Sequence, residues 1–283
     1  MERNIRTNGV LVTAIVSISF AATLIRLADA PAIAIAGYRM LFSTLLLLPL
    51  VLSSRSTLEE LAGLNTGDVA LLAVSGLFLA IHFISWIASI FLTGVTSSIV
   101  LVTMTPLFVA IFSILVLKER VPVLFWIGLA MAAAGAFTIG GGDLFAGGIR
   151  WKGDLLALLG AVAAGGYFIV GGRLRKRLSL LAYVFPVYLA STIFIFAAAL
   201  SWQVPVKGYN GKMDVYALLL AIVCQIMGHT LFNWALKHVK ATFVTLGVLG
   251  EPVGASIIAY IFLGEIPLPR EVAGGLLILA GLF

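Results

Sequence analysis

TSSIVLVTMTPLFVAIFSILVLKERVPVLFWIGLAMAAAGAF, residues 96–137, returns 146 positions later as TFVTLGVLGEPVGASIIAYIFLGEIPLPREVAGGLLILAGLF, residues 242–283, with ten identities in 42 positions. In so apolar a stretch, aliphatic matches carry little weight. The informative matches are Pro106 on Pro252, Glu119 on Glu265, Gly128 on Gly274 and Gly135 on Gly281. Proline, carboxylate and glycine each make a backbone or solvation demand that an aliphatic residue does not. Each copy reads as a helix with a proline inside it, a charged turn, and a second helix with glycines seven residues apart. The chain is therefore built from two halves, bounded at 1–142 and 143–283.

Both halves belong in lipid. The chain is 283 residues long, 61% hydrophobic and 11% charged, with a mean hydropathy of +1.14, against about a quarter charged in soluble domains. A water-soluble fold is excluded. Eighteen Lys and Arg against 12 Asp and Glu give a net charge of +6, which in a soluble chain would suggest nucleic acid. Here the basic residues lie between apolar runs, where they orient a chain in the bilayer, and no nucleic-acid partner is expected. The single cysteine, Cys224, can form no intrachain disulfide and has no second thiol with which to hold a metal.

About 20 apolar residues cross the hydrocarbon layer. Apolar runs between charged or Gly/Pro breaks predict ten helices near 9–26, 31–52, 68–92, 96–117, 121–140, 153–172, 180–202, 214–236, 241–263 and 270–283. All are helical, because amides in lipid must be satisfied within their own segment and nothing alternates like a barrel strand. The last run is short for a span at about 1.5 Å per residue, which predicts that the native chain continues past Phe283 into a cytoplasmic tail. At the other end, Arg3 and Arg6, the apolar run from Gly9 to Ile25 and Ala28-Asp29-Ala30 imitate a secretory leader. That run is longer than a leader core, and removing it would break the symmetry of five helices against five.

Arg3, Arg6, Arg55, Lys118, Arg120, Arg173, Arg175, Lys176, Arg177, Lys237 and Lys240 fall on the N-terminal side of the predicted spans; Arg26, Arg150, Lys152, Lys207, Lys212 and Arg270 fall on the other. Eleven against six puts both termini in the cytoplasm. Trp151 and Trp202, at helix ends on the opposite face, suit an aromatic belt. Because five is odd, the second half must enter the membrane from the opposite face. The expected fold is thus an all-α polytopic membrane protein of ten helices in two inverted repeats, the architecture in which secondary transporters enclose a site near the midplane. The flanks agree: Glu119 lies between Lys118 and Arg120, whereas Glu265 lies between Gly264 and Ile266.

A helix with Pro106 that ends in Val-Leu-Lys118-Glu119, its copy from Pro252 to Phe-Leu-Gly264-Glu265, and the paired glycines that follow resemble the EamA-type domain of the drug/metabolite transporter superfamily. The resemblance covers essentially the whole chain as two tandem copies. Tyr38-Arg39 is similar to the arginine such domains often carry in the second helix. The resemblance implies export of small metabolites across the inner membrane, with no cofactor. The aromatic content of the spans points within the superfamily to amino-acid exporters, for aromatic and hydrophobic substrates first. The short last helix departs from the pattern.

Ionisable groups at bilayer depth cost about 2.5–3.5 kcal/mol each on insertion scales, so each needs a partner or a wet cavity. Glu251 sits before Pro252, which removes a backbone donor and predicts a kink in the ninth helix; its repeat counterpart is Thr105. Two readings stand side by side: a proton-coupling carboxylate or partner for a substrate amine, and a structural acid at the kink. Arg39, roughly 12 Å from the outer helix end, can snorkel, pair with Asp29 or Glu251, or hold a substrate carboxylate. A structural or gating pair is favoured, and Pro106, Pro252, Glu119 and Glu265 join Arg39 as structural or gating positions.

His82, Trp86 and Ser89 form one stripe on the third helix, and Gln225, His229 and Asn233 another on the eighth; a shift of 147 lays His82 on His229. Two such stripes predict a wet central cavity, against the plainer reading that each group bonds a neighbouring helix for about 0.6–2 kcal/mol. Trp86, Trp234, Tyr38, Tyr167, Phe83 and Phe168 are candidate apolar walls. The substrate-binding candidates are His82, Trp86, Tyr38, Thr105, Tyr167, Gln225, His229, Asn233 and Glu251, with the site expected between the third, fourth, eighth and ninth helices. Gly160, Ala164, Gly165 and Gly166, and Gly247, Gly250 and Gly254, permit close helix approach. Gly128, Ala132 and Gly135 with Gly274 and Gly281 read as a packing seam.

There is no Walker-type phosphate loop, no His-Glu-x-x-His and no nucleophile elbow, which argues against ATP-driven transport and zinc proteolysis. Gly140-Gly141-Gly142 reads as a loop between helices. The expected partners are a small-molecule substrate, protons as a coupling ion, and the bilayer, with a monomer and a homodimer both open. Three readings compete with metabolite export: a proton-coupled multidrug exporter using Glu251, an intramembrane enzyme using His82, His229 and Glu251, and a channel.

Overall fold

The computed structural model describes residues 2–144, 150–263 and 269–282, and among these no strand occurs. The principal helices are α1 (Thr7–Ala28), α2 (Ala32–Ser53), α3 (Thr66–Leu92), α4 (Val95–Leu115), α5 (Val123–Leu144), α6 (Arg150–Leu174), α7 (Leu180–Ser201), α8 (Gly211–Ala235), α9 (Ala241–Phe262) and α10 (Pro269–Leu282). A short helix, Arg55–Ala62, joins α2 to α3. Eight of these, all but α5 and α10, are long and apolar enough to cross a membrane; α5 and α10 contribute the shorter apolar runs Val123–Ile139 and Val272–Gly281.

Polar side chains set several helix starts. Asn65 accepts from the Asp68 amide at 2.9 Å, and Ser179 and Asn210 accept from Ala182 and Met213 at 3.3 Å each, satisfying amides that have no partner inside the helix. Large aliphatic side chains such as Leu115 and Leu124, 70% and 77% exposed, cover the outer surface, as a lipid-facing bundle requires and a water-soluble one would not tolerate.

Four helices depart from regular geometry, the first being α1, which is interrupted at Phe20 between Ser19 and Ala21. α4 breaks at Thr103–Met104, immediately before Thr105-Pro106. α9 passes through one 3-10 turn, Gly247–Gly250, immediately before Glu251-Pro252. The kink expected at Pro252 therefore has a twin at the matching proline of the first half. In α8, residues Leu220–His229 adopt π-helical spacing, which the sequence stripe did not foretell. The loop expected at Gly140–Gly142 is corrected: α5 continues as helix through Leu144.

Repeat-equivalent helices meet each other. A methyl built on Gly128 would lie 2.5 Å from the Gly281 carbonyl oxygen, and one on Gly135 would lie 2.5 Å from that of Gly274. Since Gly128 corresponds to Gly274 and Gly135 to Gly281, α5 and α10 run antiparallel about a local two-fold axis. α2 and α7 meet in the same manner. A shift of 148 lays Ser43-Thr44 on Ser191-Thr192, and the Thr44 and Thr192 hydroxyls are 3.3 Å apart.

One end of the bundle is tied by polar contacts. Arg177 pairs with Asp68, Ser179 donates its amide to Glu60 Oε1 at 2.7 Å, and Lys240 Nζ lies 3.8 Å from Glu119 Oε2. Arg175, counted above among the loop charges, is turned inward and donates to the carbonyls of Asn233 and Leu178. Burial lowers its pKa below the usual guanidinium value.

Candidate functional site

A central cavity of about 30 Å³ opens where seven helices converge, enough for two or three waters at about 10–15 Å³ each. His82 and Trp86 line it from α3, His229 and Phe232 from α8, Val102 and Thr105 from α4, and Val248 and Glu251 from α9. Three repeat-equivalent pairs thus share one wall: His82 with His229, Val102 with Val248, and Thr105 with Glu251. The cavity sits at the junction of the two halves.

His82 Nδ1 donates to the Gly160 carbonyl at 2.9 Å, which fixes its ring against α6. That approach needs glycine, since a methyl at residue 160 would come within 3.2 Å of Trp86 Cβ. The indole of Trp86 stacks on His82 with centroids 5.9 Å apart and planes 11° from parallel. The His82 and His229 rings are 6.0 Å apart. Trp86 Nε1 and His229 Nδ1 are buried without a hydrogen-bond partner among the described residues. Thr105 donates to the Val102 carbonyl at 2.8 Å, across the break that precedes Pro106.

Arg39 enters from α2 and is fully buried. Its Nε donates to Gln225 Oε1 at 3.0 Å, and its guanidinium carbon lies 4.0 Å from the Phe83 ring centroid, a cation–π contact. Nη1 and Nη2 have no partner among the described residues. The pairing favoured from sequence is corrected: neither Asp29 nor Glu251 comes within ion-pair distance, and the side chain does not snorkel. An amide and a ring face take up part of the guanidinium instead, leaving two N–H-bearing nitrogens beside the cavity. No hydrogen bond or ion pair of the Glu251 carboxyl occurs among the described residues either.

Other expected site residues stand behind or away from the wall. Asn233 donates to Tyr167 Oη and, at 2.7 Å, to the His229 carbonyl; Gln225 supports Arg39. These three buttress the lining and do not form it. For Gln225 the π-helical stretch Leu220–His229 is the reason: widening the hydrogen-bond spacing to five residues turns it away from the face that His229 presents. Tyr38 donates to the Val206 carbonyl at 2.7 Å and packs edge-on against Phe42 and Phe196, outside the cavity. Ser89 is bonded to Ser98, and Trp234 packs on His238. Phe83 lies beneath Arg39, and Phe168 does line the cavity.

The site also draws on helices not expected to form it, with Ile18 and Ala21 from α1 and Ala164 from α6. The identity of Val102 with Val248 in the repeat was the available signal for that pair. Nothing in the α1 sequence marks Ile18 or Ala21.

Phe168 and Phe232 close one side of the cavity as a T-shaped pair, centroids 6.2 Å apart. One turn further along the same helices, Gly172 and Leu236 belong to a second cavity of about 510 Å³. Arg173, Lys176, Lys237 and Lys240 line this vestibule together with Glu119. Glu119, an expected gating position, thus stands at a mouth. Its counterpart Glu265 lies outside the described residues. Among the described residues no group of three His, Cys, Asp or Glu side chains is placed to hold a metal.

Comparison with known proteins agrees with this architecture. A solved structure described only as a crystal structure of a protein superposes with a TM-score of 0.78 over 98% of this chain and 95% of its own, at 18% identity; the likeness speaks for the fold alone. No curated protein matches the sequence. The sequence profile of the EamA-like transporter family matches residues 7–141 and again 151–283, one match in each half. The chain belongs to the EamA-like transporter family.

Proposed function

We propose that the protein is a secondary active transporter that exports small amphipathic metabolites, aromatic and hydrophobic amino acids first, across the inner membrane by alternating access. In this reading ten helices span the membrane as two inverted five-helix repeats, residues 1–142 and 143–283, with both termini in the cytoplasm. The substrate is the principal partner and protons are the coupling ion. The observation that carries the reading is the pairing of His82 with His229, Val102 with Val248 and Thr105 with Glu251 around one cavity. A site built from equivalent positions of two halves can be exposed alternately by rocking one half against the other. Of the candidates, His82, Trp86, Thr105, His229 and Glu251 meet the substrate directly, while Tyr167, Gln225 and Asn233 hold that wall in place.

Counterflow in proteoliposomes loaded with a mixed pool of labelled metabolites tests this. Exchange of aromatic amino acids above that of protein-free vesicles supports the reading, and exchange of none of the pool contradicts it. The unpartnered carboxyl of Glu251 favours one second reading, a proton-coupled multidrug exporter. A panel of organic cations beside amino acids separates the two.

A further inference from the structure

We propose that the 510 Å³ vestibule is the loading mouth for a substrate that carries a carboxylate, and that the two free Nη groups of Arg39 receive that carboxylate in the central cavity. This rests on the transporter reading above and adds the charge of the substrate to it. Four helices lead from one space to the other: α4 carries Thr105 in the cavity and Ser113 in the vestibule, α6 Phe168 and Gly172, α9 Val248 and Ala241, and α8 carries Phe232 in the cavity with Leu236, directly after its last residue, in the vestibule. The vestibule and the cavity are therefore successive stations on one path, separated by the Phe168–Phe232 pair.

The vestibule end of that path carries an excess of positive charge. Arg173, Lys176, Lys237 and Lys240 face the vestibule, all exposed, and Glu119 offsets only one of them. A shift of 147 lays these cations on Arg26, Asp29, Ile90 and Thr93, and the partner of Glu119 is Glu265. Four cations against one carboxylate at one mouth thus correspond to one cation against two carboxylates in the opposite half. A charged cleft with low-dielectric walls concentrates ions of opposite sign and raises their rate of entry. Within the cavity, an arginine fixed by Gln225 and Phe83, with both Nη atoms unpartnered, presents the fork that binds a carboxylate in bidentate fashion.

The test uses three molecules that share a phenylalkyl body and differ in charge: 3-phenylpropionate, phenylalanine and phenethylamine. Each is offered in proteoliposome counterflow to the intact protein and to the double variant Lys176→Gln, Lys237→Gln, with Lys207→Gln, Lys212→Gln as a control outside the vestibule. The expected result is exchange of the two carboxylates and none of the amine. In the vestibule variant, the half-saturating concentration of 3-phenylpropionate should rise about three- to tenfold at low salt and return toward the unmodified value at high salt. The control should follow the unmodified protein. Exchange of phenethylamine as fast as that of 3-phenylpropionate, or a vestibule variant indistinguishable from the control at low salt, overturns the inference while leaving transport intact. If none of the three exchanges, the transporter reading fails and this inference falls with it.

Discussion

Gly128 of α5 faces Gly281 of α10 so closely that a methyl on either would lie 2.5 Å from the carbonyl oxygen of the other. The same distance recurs between Gly135 and Gly274. Antiparallel helices in lipid gain little from hydrophobicity and associate through close backbone packing, so this seam joins the two halves at their ends.

Replacing Gly135 by Val should therefore weaken the protein by about 1–3 kcal/mol through overpacking. The expected readout is a thermal midpoint in detergent several degrees below that of the unmodified protein. Gly275→Ala, where a methyl would meet nothing nearer than 3.7 Å, should be neutral. Equal midpoints for the two variants would remove the seam from its structural role.

Why this seam was legible in the sequence while part of the site was not has a physical answer. Glycine, proline and carboxylate in lipid are costly, so each must serve a local purpose, and their recurrence at a fixed shift marks the repeat. The same logic found His82, Trp86, Thr105, His229 and Glu251, which now stand on one cavity wall. It did not find Ile18 and Ala21, because an apolar residue facing a cavity looks like one facing lipid. Nor did it place Gln225, since the stripe assumed α-helical spacing where the backbone adopts a π-helix, or Asn233, whose amide is taken up by Tyr167 and the His229 carbonyl. The predicted partners of Arg39 were acidic because charge dominates a sequence reading; the partners in the structure are an amide and a phenyl ring.

Arg39→Lys tests that arrangement. Lysine keeps the charge but loses the fork and the bond from Nε to Gln225. Transport should fall at least about tenfold, the loss of one charge-assisted hydrogen bond at about 1.5–3 kcal/mol, while the monodisperse peak in size-exclusion chromatography persists. Full activity would show that Arg39 serves only to fill space.

The stacked pair of His82 and Trp86 should contribute to affinity. His82→Ala and Trp86→Ala are expected to raise the half-saturating substrate concentration with folding retained, as scored by ligand titration in parallel with thermal unfolding. Unchanged affinity in both variants would mean that the pair is packing alone.

Glu251→Gln removes the one acidic side chain on the cavity wall. If that carboxyl carries the coupled proton, the variant should lose the pH dependence of uptake between pH 5.5 and 8 that the unmodified protein shows. An unmodified protein whose uptake is flat over that range would take Glu251 out of the coupling role.

The account depends most on two halves that thread the bilayer in opposite directions. In a Cys224→Ala background, single cysteines at Lys118 and at Ile266 can be labelled in intact cells and in inverted vesicles with a membrane-impermeant maleimide. The cysteine at 118 should react only from the cytoplasmic side and the one at 266 only from the opposite side. Labelling of both from a common side would contradict the inverted architecture, and with it the alternating exposure of the cavity.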